Sequence, residues 1–382
     1  MALRARRGRV GRRWDQNKRD GFSMERERKI GVVLFQLGGP DSLDAVEPFL
    51  YNLFLDPDII DFPLAKVARP VLARLISTTR ARKVKKGYAA IGGQSPIVRW
   101  TARQRQALEE ALQPSLDARV VVAMRYWHPF TQEALAELER DSCRELVLLP
   151  LYPQYSKTTT GSSLNEWNRR FPASRLGQVP VKLVREFHRH PSYIAALVEQ
   201  IECALKRFSD PRETHLLFSA HGVPVSVIQE GDPYQAQVEE TTRRVLEEGR
   251  WGLPHTVCYQ SQVGSGRWLQ PSIHDVIPRL AAQGVRKVLV VPVSFVSDHI
   301  ETLHEIDREV REEAAQTGIR EFQMMPGLND APRFIRALAD LVRSHRRGNS
   351  AMTVRKQTLF NVDTDFHAVL EIIVSNPNRK LH

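Results

Sequence analysis

The 382-residue chain is predicted to be an α/β protein built twice, each half a doubly wound parallel sheet with helices on both faces. Two observations predict this. Four segments of the first half return, in the same order, in the second. Between them, short β-branched and almost continuously apolar runs alternate with helical patterns, as expected of βαβ units whose strands are buried on both faces.

KIGVVLFQLGGP (29–40) pairs with THLLFSAHGVP (214–224), each an apolar run through Leu-Phe into a turn carrying Gly and Pro. ARVVVAMRYWHP (118–129) pairs with PHTVCYQSQVGS (254–265), and RELVLLPLYPQYS (144–156) with RKVLVVPVSFVSD (286–298). VKLVREFHRHPSYIAAL (181–197) pairs with REFQMMPGLNDAPRFIRAL (320–338). The first three pairs read as buried strands. TARQRQALEEAL (101–112) and TQEALAELERD (131–141) read as helices of the first half. YQAQVEETTRRVLEEG (234–249), SIHDVIPRLAAQG (272–284) and HIETLHEIDREVREEAA (299–315) read as helices of the second. The division expected is a domain over 30–200 and another over 201–342, preceded by a basic extension (1–29) and followed by a tail (343–382) with no assigned role. In such sheets ligands bind beyond the carboxyl ends of the strands, so the site is expected in a cleft between the halves.

The halves differ by an insertion at about 42–117, far longer than a usual connection between strand and helix. It holds EPFLYNLFLDPDII (47–60), apolar and aromatic, then PVLARLISTTRARKVKKGY (70–88), ending in a basic run, then AAIGGQSP (89–96). An apolar lid with a cationic patch suits a large flat ligand bearing carboxylates. An ordinary extra pair of helices would look the same.

The composition, 42% hydrophobic and 26% charged, is that of a globular protein with room for substantial cores. The net charge of +11 sits at the ends: residues 1–29 hold 11 basic and 4 acidic residues, residues 343–382 hold 7 and 3, and the body between them is neutral. A nucleic-acid-binding role needs a basic face built into the fold and is not expected. The N-terminal stretch lacks the apolar core of a secretory signal and is a poor transit peptide, which favours a disordered extension or a translation start at Met24. Cys143, Cys203 and Cys258 form no CxxC, so neither a disulfide framework nor a cysteine zinc site is expected, and a cytoplasmic location is. No run of about 18 apolar residues could span a membrane.

Two constellations can carry chemistry. His221 ends the run THLLFSA and precedes Gly222, which places an imidazole at a strand's carboxyl end. Imidazole suits ferrous iron as a ligand and accepts protons near neutral pH. A histidine packed and satisfied in the core is the competing reading. In SFVSDHIETLHEIDREVREE (294–313), an α-helix would put Ile300, Leu303, Ile306 and Val310 on one face and stripe Glu301, Glu305 and Glu309 along another, with Asp298 and His304 nearby. A solvated acidic face is the ordinary explanation; a path for a hydrated divalent cation or for departing protons is the functional one. Gly38-Gly39-Pro40 and Gly92-Gly93 make neither a dinucleotide fingerprint nor a P-loop, no GxSxG or HExxH occurs, and His188 and His190 read as loop residues.

With those residues in view, the chain resembles the ferrochelatases over about residues 30–342. The resemblance rests on GVVLFQLGGPDSLDAVEPFLYNLFLD, YAAIGGQSPI, RYWHP, LPLYPQYSKTTTGSS, LFSAHGVPVSVIQEGDPY, YQSQVGSGRWLQP and VPVSFVSDHIETLHEID, with SAHGVP and SFVSDHIETL the most specific. It implies a chelatase-like pair of Rossmann-like domains holding a porphyrin under the inserted lip, and ferrous iron and porphyrin as substrates. It places the catalytic, metal-contacting histidine and glutamate at His221 and Glu301. It places porphyrin contacts at Leu37, Arg80, Tyr88, Ser95, Arg125 and Tyr126, with Gln260 and Ser261 near the ring. Gln36 departs from the asparagine often found before the Gly-Gly-Pro turn. Lys157 stands where animal members carry a cluster cysteine, and residues 339–382 contain none, so no iron–sulfur cluster and no resident cofactor are expected.

The mechanism expected from this clamps a ruffled macrocycle between the lip and Tyr88, Tyr126 and Trp127, with Arg80 and Ser95 on its propionates. His221 would serve one face and Glu301 the other, from opposite walls, with Glu305 and Glu309 as relay. Protoporphyrin and coproporphyrin both remain open as substrate, as does a chelatase for another divalent metal or a non-catalytic tetrapyrrole carrier. No nucleic acid and at most peripheral membrane contact are expected; oligomeric state is open, with a monomer favoured.

Overall fold

The computed structural model describes residues 29–59, 65–113, 115–261 and 266–347. The basic extension before Lys29, the tail beyond 347 and the alternative start at Met24 lie outside the described residues.

Two four-stranded sheets form, and every pairing in them is parallel. The first contains β1 (Ile30–Gln36), β2 (Ala118–Met124), β3 (Glu145–Pro150) and β4 (Val181–Leu183) in the order β2-β1-β3-β4. The second contains β5 (His215–His221), β6 (His255–Gln260), β7 (Lys287–Pro292) and β8 (Glu321–Met324) in the order β6-β5-β7-β8. The four repeated segments thus supply corresponding strands of two sheets with one topology.

The register corrects two of the four pairings by one residue. Phe35 lies beside Ala123 and Pro150, and Ser219 lies beside Cys258 and Pro292. Phe35 therefore corresponds to Ser219 and Ala123 to Cys258, whereas matching the Leu-Phe pairs, or Ala118 with Pro254, is one position out. The cause is physical. A parallel strand covered on both faces is apolar at every position, so no alternation marks its phase. Counting outward from these rows, Leu37 corresponds to His221, Arg125 to Gln260 and Tyr126 to Ser261.

Alternate residues along each central strand feed different cores. Val32 and Leu34 join one cluster with Val120, Val122, Val147 and Leu149, while Val33 and Phe35 join another with Val121, Leu146 and Leu148. The first cluster also contains Leu216, Phe218, Ala220, Leu289 and Val291 of the second sheet, so a single apolar core joins the two halves. Four long helices carry most of it: Pro96–Leu112, Pro191–Leu205, Tyr234–Gly249 and Pro332–Arg347. Helix Pro191–Leu205 packs on Tyr234–Gly249 and β7, while Pro332–Arg347 packs on Pro96–Leu112 and β3. Each half therefore lends its last helix to the other, and a boundary at residue 200 falls inside one of the exchanged helices. Each fully buried Val, Leu or Phe contributes about 1.5–3 kcal/mol, so this core also fixes how the strand ends face each other.

The insertion folds as helices Val46–Phe54 and Ala65–Ala90, leading through a turn into Pro96–Leu112. Val46, Phe49, Leu50, Ala81, Tyr88 and Tyr126 make a separate cluster against which Leu37, Trp127 and Ile300 also pack. The insertion thus touches strand-end residues of both halves.

After the third strand of each half the chain enters a π-helix, Lys157–Gly161 in the first and Glu301–Val310 in the second. The predicted α-helical face is corrected accordingly. The fully buried residues are Thr302, Ile306 and Val310, four apart, with Ile300 and Leu303 only partly buried. The i→i+5 turn is wider than an α-turn, which moves the inward stripe from the three-and-four spacing to a four-spaced one.

Gly222 is required where it stands. Its N–H donates to the Gln260 carbonyl at 2.7 Å, and a Cβ there would come within 2.7 Å of the same oxygen. Gly222→Ala is expected to part the ends of β5 and β6 and to cost about 1–3 kcal/mol, measurable by urea unfolding.

Candidate active site

His221 closes β5 and Glu301 opens the π-helix after β7, neighbouring strands of the second sheet. Their side chains meet directly, with His221 Nδ1 2.8 Å from Glu301 Oε2. This overturns the expectation that they stand on opposite walls. They come from adjacent strand ends of one half and so stand on one wall. His221 is fixed from behind as well: its N–H donates to the Ser294 hydroxyl at 3.1 Å, and its carbonyl accepts from the Tyr234 hydroxyl at 3.1 Å. Its side chain keeps 40% of its surface exposed against 16% for Glu301, so the imidazole is the more accessible partner.

Burial alone would raise Glu301 and lower His221, but the pairing outweighs it in both. The His221 charge and hydrogen bond hold Glu301 down at about 2. Burial lowers His221 less than Glu301 raises it, so its pKa ends above the ordinary value. A second imidazole, His299, lies with Nε2 3.8 Å from Glu301 Oε1 and Nδ1 3.1 Å from the Ser297 carbonyl. Burial lowers its pKa, which favours the neutral ring.

The carboxylate stripe starts at the pair and runs outward. The Ser261 hydroxyl lies 3.2 Å from Glu301 Oε2 and 2.6 Å from Glu305 Oε2, while the Gln260 amide reaches Glu301 at 3.5 Å. One hydroxyl proton cannot satisfy two carboxylates at once, and they repel each other. Burial, and then the Glu301 charge, push Glu305 up to about 7. Glu309 is exposed, 3.6 Å from His304. Because the Glu305 pKa is raised from 4.5, ionising it costs the folded state stability as pH climbs from 4.5 through about 7. Glu305→Gln is therefore expected to stabilise the protein at pH 8 by about 1 kcal/mol or more, with the gain disappearing near pH 4.5. Thermal unfolding at both pH values tests it.

The chain matches the family profile described as Ferrochelatase over residues 29–346. It is 49% identical over 316 residues to a protein named ferrochelatase from Aquifex aeolicus, covering 83% of this chain and 99% of that one. The chain belongs to the ferrochelatase family. A ferrochelatase from Thermosynechococcus vestitus is 49% identical over 321 residues, covering 82% of each chain. The chloroplastic ferrochelatase-2 of Cucumis sativus is 46% identical over 321 residues, covering 82% of this chain and 62% of that one. Among solved structures, SirB from Bacillus subtilis superposes with a TM-score of 0.49 at 12% identity, covering 83% of this chain and 95% of that chain.

In this ferrochelatase-family chain the remaining expected positions fall into three groups, with Arg80 apart from them. Gln260 reaches Glu301, and Ser261 touches both Glu301 and Glu305. Tyr88 and Ser95 are buried; burial, and then the nearby Glu301 charge, raise the Tyr88 phenol. Leu37, Arg125 and Tyr126 form the first-half counterpart of His221, Gln260 and Ser261. Arg125 pairs with Asp56 at 2.8 Å and donates to the Ser162 hydroxyl at 2.8 Å. The Tyr126 hydroxyl donates to Asp56 at 2.6 Å, and its ring is almost wholly buried. Arg80 stands apart, its guanidinium 5.7 Å from the centre of the Phe54 ring within the insertion. His188 and His190 lie in the loop between β4 and helix Pro191–Leu205, as expected.

The residues that went unnoticed are His299, Tyr234, Asp56 and Ser162. His299 had a signal, since it stands two places before Glu301 in the same motif. Asp56 had a weaker one, an acid inside the apolar run of the insertion. Asp298, read as a neighbour of the stripe, is occupied elsewhere: it accepts from the Gly327 N–H at 3.0 Å and the Asn329 amide at 2.8 Å.

Proposed function

We propose that the chain inserts ferrous iron into a porphyrin, protoporphyrin IX or coproporphyrin III, with release of two protons. The observation that carries this is the 2.8 Å contact between His221 and Glu301 at adjacent strand ends, continued through Ser261 to Glu305. Metalation requires two pyrrole protons to leave a ring whose nitrogen lone pairs point inward. His221 Nδ1 is committed to Glu301, which leaves Nε2 to take a pyrrole proton or meet iron. The neighbouring carboxylate stabilises the imidazolium that results. Glu305, with a pKa of about 7, suits the next step of proton removal at neutral pH. Glu309 ends the path at the surface.

His221 and Glu301 act together from the second half, and Leu37, Arg125 and Tyr126 line the opposite side. Tyr88, Ser95, Arg80 and Trp127 contribute to the porphyrin pocket from the insertion and the first half. Iron is a substrate, and no resident cofactor or iron–sulfur cluster takes part. The location proposed is the cytoplasm, with at most peripheral membrane contact; the oligomeric state is open, with a monomer favoured. Among the described residues no helix is long and apolar enough to cross a membrane.

Anaerobic assay of both porphyrins with Fe2+ tests the reading. Appearance of the haem spectrum supports it, binding without turnover would mean a carrier, and a preference for cobalt or nickel in competition would mean a different chelatase.

A further inference from the structure

We propose that Gln104 is a positioning residue that clasps the Glu301-bearing segment of the second half to the first; this rests on the chelatase reading of the site. Gln104 lies in helix Pro96–Leu112, whose N-cap is Ser95, and has no exposed surface. Its amide nitrogen donates to the Ser297 hydroxyl at 2.9 Å and to the Asn329 carbonyl at 2.7 Å. Both acceptors belong to the second half, on the segments that follow β7 and β8.

Those two segments are already bound to each other. The Asp298 N–H donates to Asn329 Oδ1 at 3.0 Å, the Asn329 amide returns to Asp298 Oδ2 at 2.8 Å, and the Asn329 N–H donates to the Val296 carbonyl at 2.7 Å. Asn329 is held at φ 47°, in the left-handed region that asparagine tolerates better than most residues. From Ser297 the chain runs through Asp298 and His299 to Glu301, with His299 Nδ1 on the Ser297 carbonyl and Nε2 beside Glu301. Gln104 spends both N–H bonds on this unit, so it sets where the first-half helix beginning at Ser95 stands relative to the catalytic carboxylate.

Glutamine satisfies two buried acceptors here at the expense of one of its own atoms. Its Oε1 is buried and accepts no hydrogen bond among the described residues, an arrangement that ordinarily costs stability. Leucine of similar volume would remove that oxygen, though it would also leave the Ser297 hydroxyl and Asn329 carbonyl unmatched. What glutamine supplies and leucine cannot is a directional link between the halves. Displacing a catalytic group by about 1 Å can cost about a hundredfold in rate.

The test uses the full-length protein as wild type, Gln104→Leu, Ser297→Ala and the double variant. In Gln104→Leu, kcat is expected to fall about tenfold or more, with KM for porphyrin within about twofold. In crystal structures of the ligand-free proteins, Glu301 of Gln104→Leu is expected to stand about 1 Å or more further from helix Pro96–Leu112 than in the wild type. Ser297→Ala should move both readouts the same way by less, and the double variant should match Gln104→Leu rather than add to it. An unchanged kcat and an unchanged separation, even with lowered thermal stability, would overturn the proposal, as would additive losses. If Gln104→Leu does not fold, Ser297→Ala decides by the same readouts. If the wild type inserts no metal, the chelatase reading fails, while the separation still decides whether the clasp exists.

Discussion

His221→Ala is expected to reduce metal insertion about 10²–10⁴-fold while leaving porphyrin affinity within a few-fold of wild type. The imidazole is the more exposed member of the pair, and among the described residues no hydrogen bond is made by its Nε2, so the alanine variant removes the group that the proposed mechanism uses to meet metal and accept protons. The fold should survive, because the contacts that hold this stretch are made by its backbone to Ser294, Tyr234 and Gln260. Single-turnover measurements of iron insertion, beside porphyrin quenching titrations, separate the two effects. Near-normal turnover would remove His221 from the mechanism. Equal loss of binding and turnover would make it a binding residue.

Glu301→Gln is expected to be nearly as damaging to turnover and to lower the His221 pKa, because the carboxylate is what raises it. The pH dependence follows from both signs. Glu301 is depressed from 4.5 to about 2, so its contribution to stability is present above 4.5 and lost as pH falls toward 2. His221 is raised from 6.5, so its contribution is present below 6.5 and lost as pH rises through the raised value. The pair therefore stabilises most between about pH 4.5 and 6.5, and the glutamine variant should lose about 1–2 kcal/mol within that window, after allowance for the exposure of His221. Unfolding free energies across pH 3–9, with an imidazole titration of each protein, would show it. A His221 midpoint that does not move in Glu301→Gln would mean that something else holds the ring.

Much of the site was legible because its residues lie at strand ends, which a repeated apolar run locates to within a residue or two. His221 and Glu301 were found this way, and Glu305 followed from spacing. Their contact was not legible. It depends on β5 and β7 being neighbours and on the chain entering a π-turn at Glu301, and neither leaves a periodic mark. Asp56, Ser162 and Gln104 were missed for a related reason. Each acts across 36 to 225 positions of sequence, in hydrogen bonds that local composition does not record.

Sequence alone determined that the chain is duplicated, that strands and helices alternate, and which imidazole and carboxylates stand at the strand ends. These are properties of apolar burial and repetition, which every local segment carries. Only the tertiary structure decided the register between the halves, the exchange of their last helices, the π-turn and the placement of His221 and Glu301 on one wall. Buried parallel strands look alike at each position, so their phase emerges only when the two sheets pack on a common core.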